Sequence, residues 1–288
     1  MSSFKRVFNV SLTDYNGDIL VVHEKIVSPI KCASECENHC LAIAYDPQTR
    51  ECITYGREIS TGDSPLSARK VYSKRAHLYP SDCSEVNPIS NSGVNNINLA
   101  NGLLYNIFCD MDNEGGPWTV IQNRQDEQVS FARNWTDYKT GFGDLDRNFW
   151  LGLDIIHLLT RKPSILRIEL VSRDGDAGYA QYSAFSVADE SDGYRLSISG
   201  FTGDVSNAME YHNGRPFVTN DKGDQHECAK SFTGGWWFFN CLQCNLNGRH
   251  VDDIHFRGGV SAMKWNGFYY YQDYAPMLKS RMLLKPSR

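Results

Sequence analysis

Apolar and polar positions alternate most clearly in the middle of the chain. Leu166, Ile168 and Leu170 alternate with Arg167, Glu169 and Val171, and Leu196 and Ile198 alternate with Arg195 and Ser197. A period of two marks a strand with one buried face. Thr119 to Gln122 and the aromatic run Tyr179 to Phe185 predict two more strands. From Asp146 to Leu159 the period changes, and Phe149, Trp150, Leu153, Ile156 and Leu159 share one side of a predicted helix. Nearer the start, Ser28-Pro29 ahead of Ile30 to His39 predicts a short capped helix. Leu41 to Tyr45 predicts a strand, and Pro47-Gln48 a turn into a second strand, Glu51 to Tyr55. Strands and helices mix without a regular βαβ repeat, which predicts an α+β fold. Beyond Ser206 the periodicity fades into Gly-rich, polar and aromatic segments, which predict a loop-rich subdomain.

The 288 residues allow one large domain or two smaller ones. Composition shifts near Ala76 to Cys83, across a polar stretch that contains Pro80. We divide the chain into a cysteine-dense unit over 1–76, a linker over 77–82, and a Trp-, Tyr- and Gly-rich unit over 83–288. A net charge of −5 with no basic stripe opposes a nucleic-acid partner. Apolar runs such as Phe149 to Leu153 are far too short to span a bilayer, so no membrane insertion is expected. Met1 to Arg6 is followed by no apolar stretch of the kind a secretory leader carries. That leaves a cytosolic chain or one whose leader has been trimmed or replaced, and the cysteines decide between them. There are nine: Cys32, Cys36, Cys40, Cys52, Cys83, Cys109, Cys228, Cys241 and Cys244. Four cluster, and the rest fall into pairs plus a leftover, as in a disulfide framework with an odd thiol. Cys241 and Cys244 form a C-x-x-C, but no matching second pair completes a zinc site. Disulfides imply an oxidising compartment, and hence a secreted, extracellular protein. Asn9-Val10-Ser11 and Asn134-Trp135-Thr136 are glycosylation sequons.

The most telling stretch is Gly234-Gly235-Trp236-Trp237-Phe238-Phe239-Asn240-Cys241, running on to Asn245-Leu246-Asn247-Gly248. Two adjacent tryptophans need burial and a partner for each indole N–H. A cysteine and a polar run follow, which predicts an aromatic anchor holding an irregular surface loop with binding function. Together with Asp82-Cys83-Ser84-Glu85-Val86, Phe108-Cys109-Asp110-Met111, Gly116-Pro117-Trp118-Thr119-Val120-Ile121-Gln122, Asn134-Trp135-Thr136-Asp137-Tyr138-Lys139, Gly141-Phe142-Gly143, Phe149-Trp150-Leu151-Gly152-Leu153, His212-Asn213-Gly214 and Lys264-Trp265 to Tyr271, these motifs resemble, in order, the fibrinogen C-terminal domain family. The resemblance covers Ser81 to Pro286. It implies an antiparallel sheet with packed helices, a loop-rich binding subdomain, and the disulfides Cys83–Cys109 and Cys228–Cys241. Phe4 to Tyr72 resembles a PAN/apple module, a likeness that pairs Cys32 with Cys52 and Cys36 with Cys40. Sequence leaves Cys244 open between a free buried thiol, an alternative intramolecular partner and an intermolecular bridge.

In this family a calcium ion sits in the loop before the third cysteine, held by an Asp-x-Asp pair and backbone carbonyls, as a hard cation requires. The loop here places Asp221, Gly223 and Asp224 at the candidate Ca2+ positions, with Gly223 where the second aspartate is expected. Lectin members of the family read acetyl groups beside this loop. The matching positions are Phe238, Cys241, Leu242, Gln243, His250, Tyr269 and Tyr270. Phe238 replaces a tyrosine, Leu242 a histidine and His250 a tyrosine of the family motif, so groups that would hydrogen-bond a polar ligand are missing or moved, at a cost in affinity. Trp236, Trp237 and Trp265 are read as core. Asp144, Asp146 and Asp154 are read as capping or solvated residues rather than a catalytic group. No G-x-S-x-G elbow, H-E-x-x-H pair or phosphate-cradling glycine loop is present, so no enzymatic activity is expected. The resulting expectation is a secreted lectin of the ficolin and tachylectin kind for innate-immune recognition or agglutination, with glycans as partners. Weak single sites would gain from multivalency, here from a homo-oligomer. The alternative is an extracellular protein-binding adhesion or signalling ligand.

Overall fold

The computed structural model describes residues 79–86, 90–250, 261–268 and 274–287, together with the backbone of four earlier strands. The chain divides into two units, Met1–Pro80 and Ser81–Arg288. In the first, β1 (Ile19–His23), β2 (Ala42–Asp46), β3 (Glu51–Tyr55) and β4 (Lys70–Ser73) form an antiparallel sheet in the order β1-β3-β2-β4. The expected hairpin is there, with Ala42 opposite Tyr55 and Asp46 opposite Glu51, its first strand displaced by one residue. The expected helix over Ile30 to His39, the Asn9 sequon, Cys32, Cys36, Cys40 and the side chain of Cys52 lie outside the described residues.

The second unit is built on an antiparallel sheet. Its strands are β5 (Gly93–Asn98), β6 (Leu104–Asp110), β7 (Trp118–Arg124), β8 (Phe142–Gly143), β9 (Phe149–Trp150), β10 (Ser164–Ser172), β11 (Ala177–Val187), β12 (Leu196–Gly203), β13 (Cys244–Asn245), β14 (Lys264–Asn266) and β15 (Tyr274–Pro286). The main order is β12-β11-β10-β15-β7-β6-β5. Among the described residues three short helices accompany it: α1 (Trp135–Thr140), α2 (Leu153–Leu159) and α3 (Cys228–Phe232). The period of two in β10 is realised, since Leu166, Ile168 and Leu170 are buried and the residues between them are half-buried. A disulfide joins Cys83, in a 3-10 turn, to Cys109 on β6.

The helix expected over Asp146 to Leu159 is half right. It begins only at Leu153, because Gly152 holds φ at +110° and a Cβ there would lie 2.8 Å from the Thr140 carbonyl carbon. Phe149 and Trp150 are buried as a short strand opposite Asn123 and Gln122 of β7. Sequence periodicity predicts none of β5, β6 and β15, and β15 is the longest of them. It runs between β10 and β7 and carries Lys279, Ser280 and Arg281 through the middle of the sheet. Arg281 is accommodated there by Asp110 at 2.6 Å and Glu169 at 3.7 Å.

Candidate functional site

The Trp236-Trp237 anchor is built from the backbone outward. Gly234 takes φ of +75°, and a Cβ there would sit 2.1 Å from Asn247 O, so no larger residue fits. Trp236 exchanges backbone hydrogen bonds with Val218 at 3.1 and 3.0 Å. Trp237 donates its indole N–H to Tyr194 O at 2.9 Å, and its ring meets Phe217 at 5.1 Å, Trp236 at 5.2 Å and Trp150 at 6.3 Å. Trp236, Trp237 and Trp265 are fully buried, as expected of core.

Behind this anchor sits His212, also fully buried. Its Nδ1–H donates to Trp237 O at 2.6 Å, which leaves Nε2 to accept the N–H groups of Cys244 at 3.2 Å and Gln243 at 3.3 Å. Burial pushes its pKa down to about 4, although the bond to Trp237 O acts in the opposite direction. Cys241 is bonded to Cys228 of α3, and Cys244 is a buried free thiol 3.4 Å from the Met209 sulfur.

The polar run after the cysteines is a correction. It was expected to be a surface binding loop, yet Asn245 and Asn247 are fully buried. Their amides serve the fold: Asn245 Nδ2 donates to Phe232 O and Thr233 O, and Asn247 Nδ2 donates to Gly235 O. A polar side chain is tolerated inside when every group finds a partner, and these amides match the carbonyls of an irregular backbone.

An exposed aromatic residue lies just before the disulfide. Phe239 is 40% exposed. The guanidinium of Arg215 stacks 3.4 Å from its ring centroid, and the Tyr211 ring lies 5.4 Å away. The turn beneath contains a cis Asn240–Cys241 peptide and closes with Phe239 N donating to Cys241 O at 2.7 Å. Sequence reading missed Phe239, Tyr211 and Arg215. Phe239 was absorbed into an apolar run, and the other two lie far from it in sequence.

The positions expected to bind a glycan are arranged otherwise. Phe238 is buried 6.4 Å from Phe232, and Leu242 is buried. Gln243 hydrogen-bonds Asn266 through both its side chain and its carbonyl, and Cys241 is committed to its disulfide. His250 donates from Nε2 to Leu278 O at 2.8 Å and lines a separate cleft of about 260 Å³ in which Phe238, Leu242 and Gln243 take no part. Tyr269 and Tyr270 lie outside the described residues.

In the candidate calcium loop, Asp221 Oδ1 accepts from Thr219 Oγ1 at 2.7 Å and from Trp135 N at 3.0 Å, and Oδ2 lies 3.3 Å from the same N–H. Asp224 Oδ2 accepts from Lys230 N at 3.0 Å, and Gly223 contributes no side chain. Lys222 lies 3.9 Å over the Trp135 ring. Among the described residues no three His, Cys, Asp or Glu side chains stand together as a metal group. Both carboxylates accept hydrogen bonds from the protein's own donors. Asn134 of the second sequon caps α1, accepting from Asp137 N at 2.9 Å, and is exposed. Asp154 accepts from the Tyr194 hydroxyl, and Asp144 caps Asp146 N at 3.0 Å.

An antiparallel sheet with two disulfide ties and a largely irregular region around Phe217 to Gly248 defines a disulfide-bonded α+β domain with a loop-built face. The description "Fibrinogen beta and gamma chains, C-terminal globular domain" matches residues 79–287, and the chain belongs to that family. Tenascin-R of Gallus gallus is 40% identical over 202 residues, covering 67% of this chain and 15% of the tenascin. Angiopoietin-related protein 7 of Mus musculus is 41% identical over 167 residues, covering 57% of this chain and 50% of the relative. The chain therefore spans half or less of these curated relatives. Among solved structures, the fibrinogen-like globe domain of human ANGPTL2 superposes with a TM-score of 0.69 at 31% identity, covering 73% of this chain and 100% of that one. Lamprey fibrin D-dimer complexed with the peptide Gly-His-Arg-Pro-amide gives a TM-score of 0.63 at 30% identity, covering 80% of this chain and 78% of that one. Among the described residues no helix is long and apolar enough to cross a membrane.

Proposed function

We propose that this is an extracellular protein-binding domain of the adhesion or signalling type, acting by contact rather than catalysis and without calcium. The lectin expectation gives way to its alternative. The observation that carries this reading is the exposed Phe239 ring, flanked by Arg215 and Tyr211 on a disulfide-tethered turn. Large aromatic residues and arginine are the side chains that dominate protein interfaces. A partner that covers the exposed part of this ring removes it from water. Opposing the glycan reading, Leu242 and Phe238 are buried and offer a sugar amide nothing polar. The tenascin and angiopoietin-related relatives favour the same side, and the peptide-bound lamprey neighbour illustrates a peptide ligand on this fold. We also propose that the first unit is a PAN/apple-like module that multiplies a weak contact by self-association. Its four-stranded sheet and clustered cysteines support that reading.

Parallel screening of the oxidised protein on arrays of receptor ectodomains and of glycans tests the reading. We expect reproducible binding to ectodomains that Phe239→Ser abolishes. Binding to a family of related glycans that survives Phe239→Ser would overturn it.

Melting temperatures in excess chelator and in calcium on the order of 10⁻³ M, the range of weak extracellular sites, will coincide. A rise in calcium of about 3 °C or more, corresponding to about 1 kcal/mol, that Asp221→Ala removes would contradict the proposed calcium independence.

A further inference from the structure

The cleft lined by His250 holds an arginine that has no direct ion pair among the described residues. Arg124, at the end of β7, is 1% exposed. One of its terminal nitrogens, Nη1, donates to Leu246 O at 3.2 Å and Gly248 O at 3.0 Å, while its guanidinium lies 3.8 Å over the Phe131 ring. Its Nε is buried and has no hydrogen-bond partner among the described residues. The ion pairs of the described arginines involve Arg167, Arg173, Arg195 and Arg281, and Arg124 is in none of them. Carbonyl oxygens satisfy part of the guanidinium, yet no carboxylate pairs with it directly and Asp126 acts on it only at longer range, so the charge is costly to bury. The group stays charged, because burial lowers its pKa only to about 10. Arg249 stands on the same cleft and is exposed, and Glu127, also exposed, is the one carboxylate among the lining residues. Val129 and Phe131 supply an apolar wall.

We propose that this cleft of about 260 Å³ is a binding site for a carboxylate carried on a short apolar stem, the chemistry of a glutamate side chain or chain terminus of a protein partner, with Arg124 as its buried cation and Arg249 at its mouth. A guanidinium presents planar donors that match a carboxylate, and stacking on Phe131 fixes its orientation. The apolar wall selects against a bare, strongly hydrated ion. This site is independent of the Phe239 face and stands or falls separately from it.

The test uses the whole oxidised chain, labelled with ¹⁵N, and follows the arginine Nε–H resonances while propionate is titrated at constant ionic strength. Propionamide serves as the uncharged control. The expected result is a saturable shift of one buried Nε–H, half-complete at propionate on the order of 10⁻³ to 10⁻² M, with no shift from propionamide. Arg249→Gln, at an exposed position, should weaken binding about two- to fivefold, Glu127→Gln should strengthen it, and Phe239→Ser should leave it unchanged. No saturable shift, or an equal response to propionamide, would overturn the proposal.

Discussion

Trp237→Ala will lower the unfolding free energy by about 3–5 kcal/mol, the range for emptying a buried aromatic site. The ring is fully buried and meets Trp150, Phe217 and Trp236, so the surrounding side chains are themselves too large and too constrained to collapse into the space. Its N–H also satisfies Tyr194 O, which the substitution leaves unpaired. Trp237→Phe keeps most of the ring contacts and loses that hydrogen bond, so it should cost a smaller amount, about 1–3 kcal/mol. Urea denaturation checks both, as a fall in midpoint. A loss under about 1 kcal/mol for the alanine variant, the scale of an ordinary surface change, would mean that the tryptophan pair does not anchor this region.

Acid should destabilise the domain through His212. Its folded pKa, about 4, lies below the ordinary 6.5 because the ring is buried. Between those values the unfolded chain binds a proton that the folded one refuses. Stability therefore falls as pH is lowered from about 6.5 to about 4 and is fully retained above that window. The shift corresponds to about 3 kcal/mol. Protonation would also place an N–H at Nε2 against the two backbone N–H groups of Gln243 and Cys244, so the ring has no way to accept the charge in place. Several carboxylates, Glu190 among them, are also held below their usual range and lose stability in acid, but over a lower window. The difference between the wild type and His212→Gln isolates the histidine. Its unfolding free energy as a function of pH should decline through the window only in the wild type. Parallel curves for the two proteins would contradict the assignment.

How much was legible follows from where local pattern and tertiary need coincide. β10 and β12 have one wet and one dry face, so Leu166, Ile168, Leu170, Leu196 and Ile198 announce them. The tryptophans announce their own burial because no surface site tolerates adjacent indoles. β15 is silent, since Arg281 sits mid-strand and pairs with Asp110 of β6 and Glu169 of β10. The start of α2 is hidden because strand β9 and the helix carry one continuous apolar face, and the break depends on the backbone of Gly152. The candidate site was the least legible part. Asn245 and Asn247 are polar in sequence and internal in the fold, while Phe239 is apolar in sequence and exposed. Both inversions depend on which carbonyls and which disulfide lie nearby, which spacing along the chain does not encode. Asp221 and Asp224 have the chemistry of metal ligands, and in the fold they also accept from the N–H groups of Trp135 and Lys230, which spacing does not show.

The claim that most needs a direct measurement is that the Phe239 turn is the protein-contact face. Surface plasmon resonance of the ectodomain with the strongest array signal should be run against the wild type, Phe239→Ser and Arg215→Ala. The account predicts that the serine variant loses at least about 2 kcal/mol, on the order of 30-fold in Kd, and that the alanine variant is also weakened. Chelator should have no effect. An unchanged Kd for Phe239→Ser, with its melting temperature equal to the wild type's, would contradict the account.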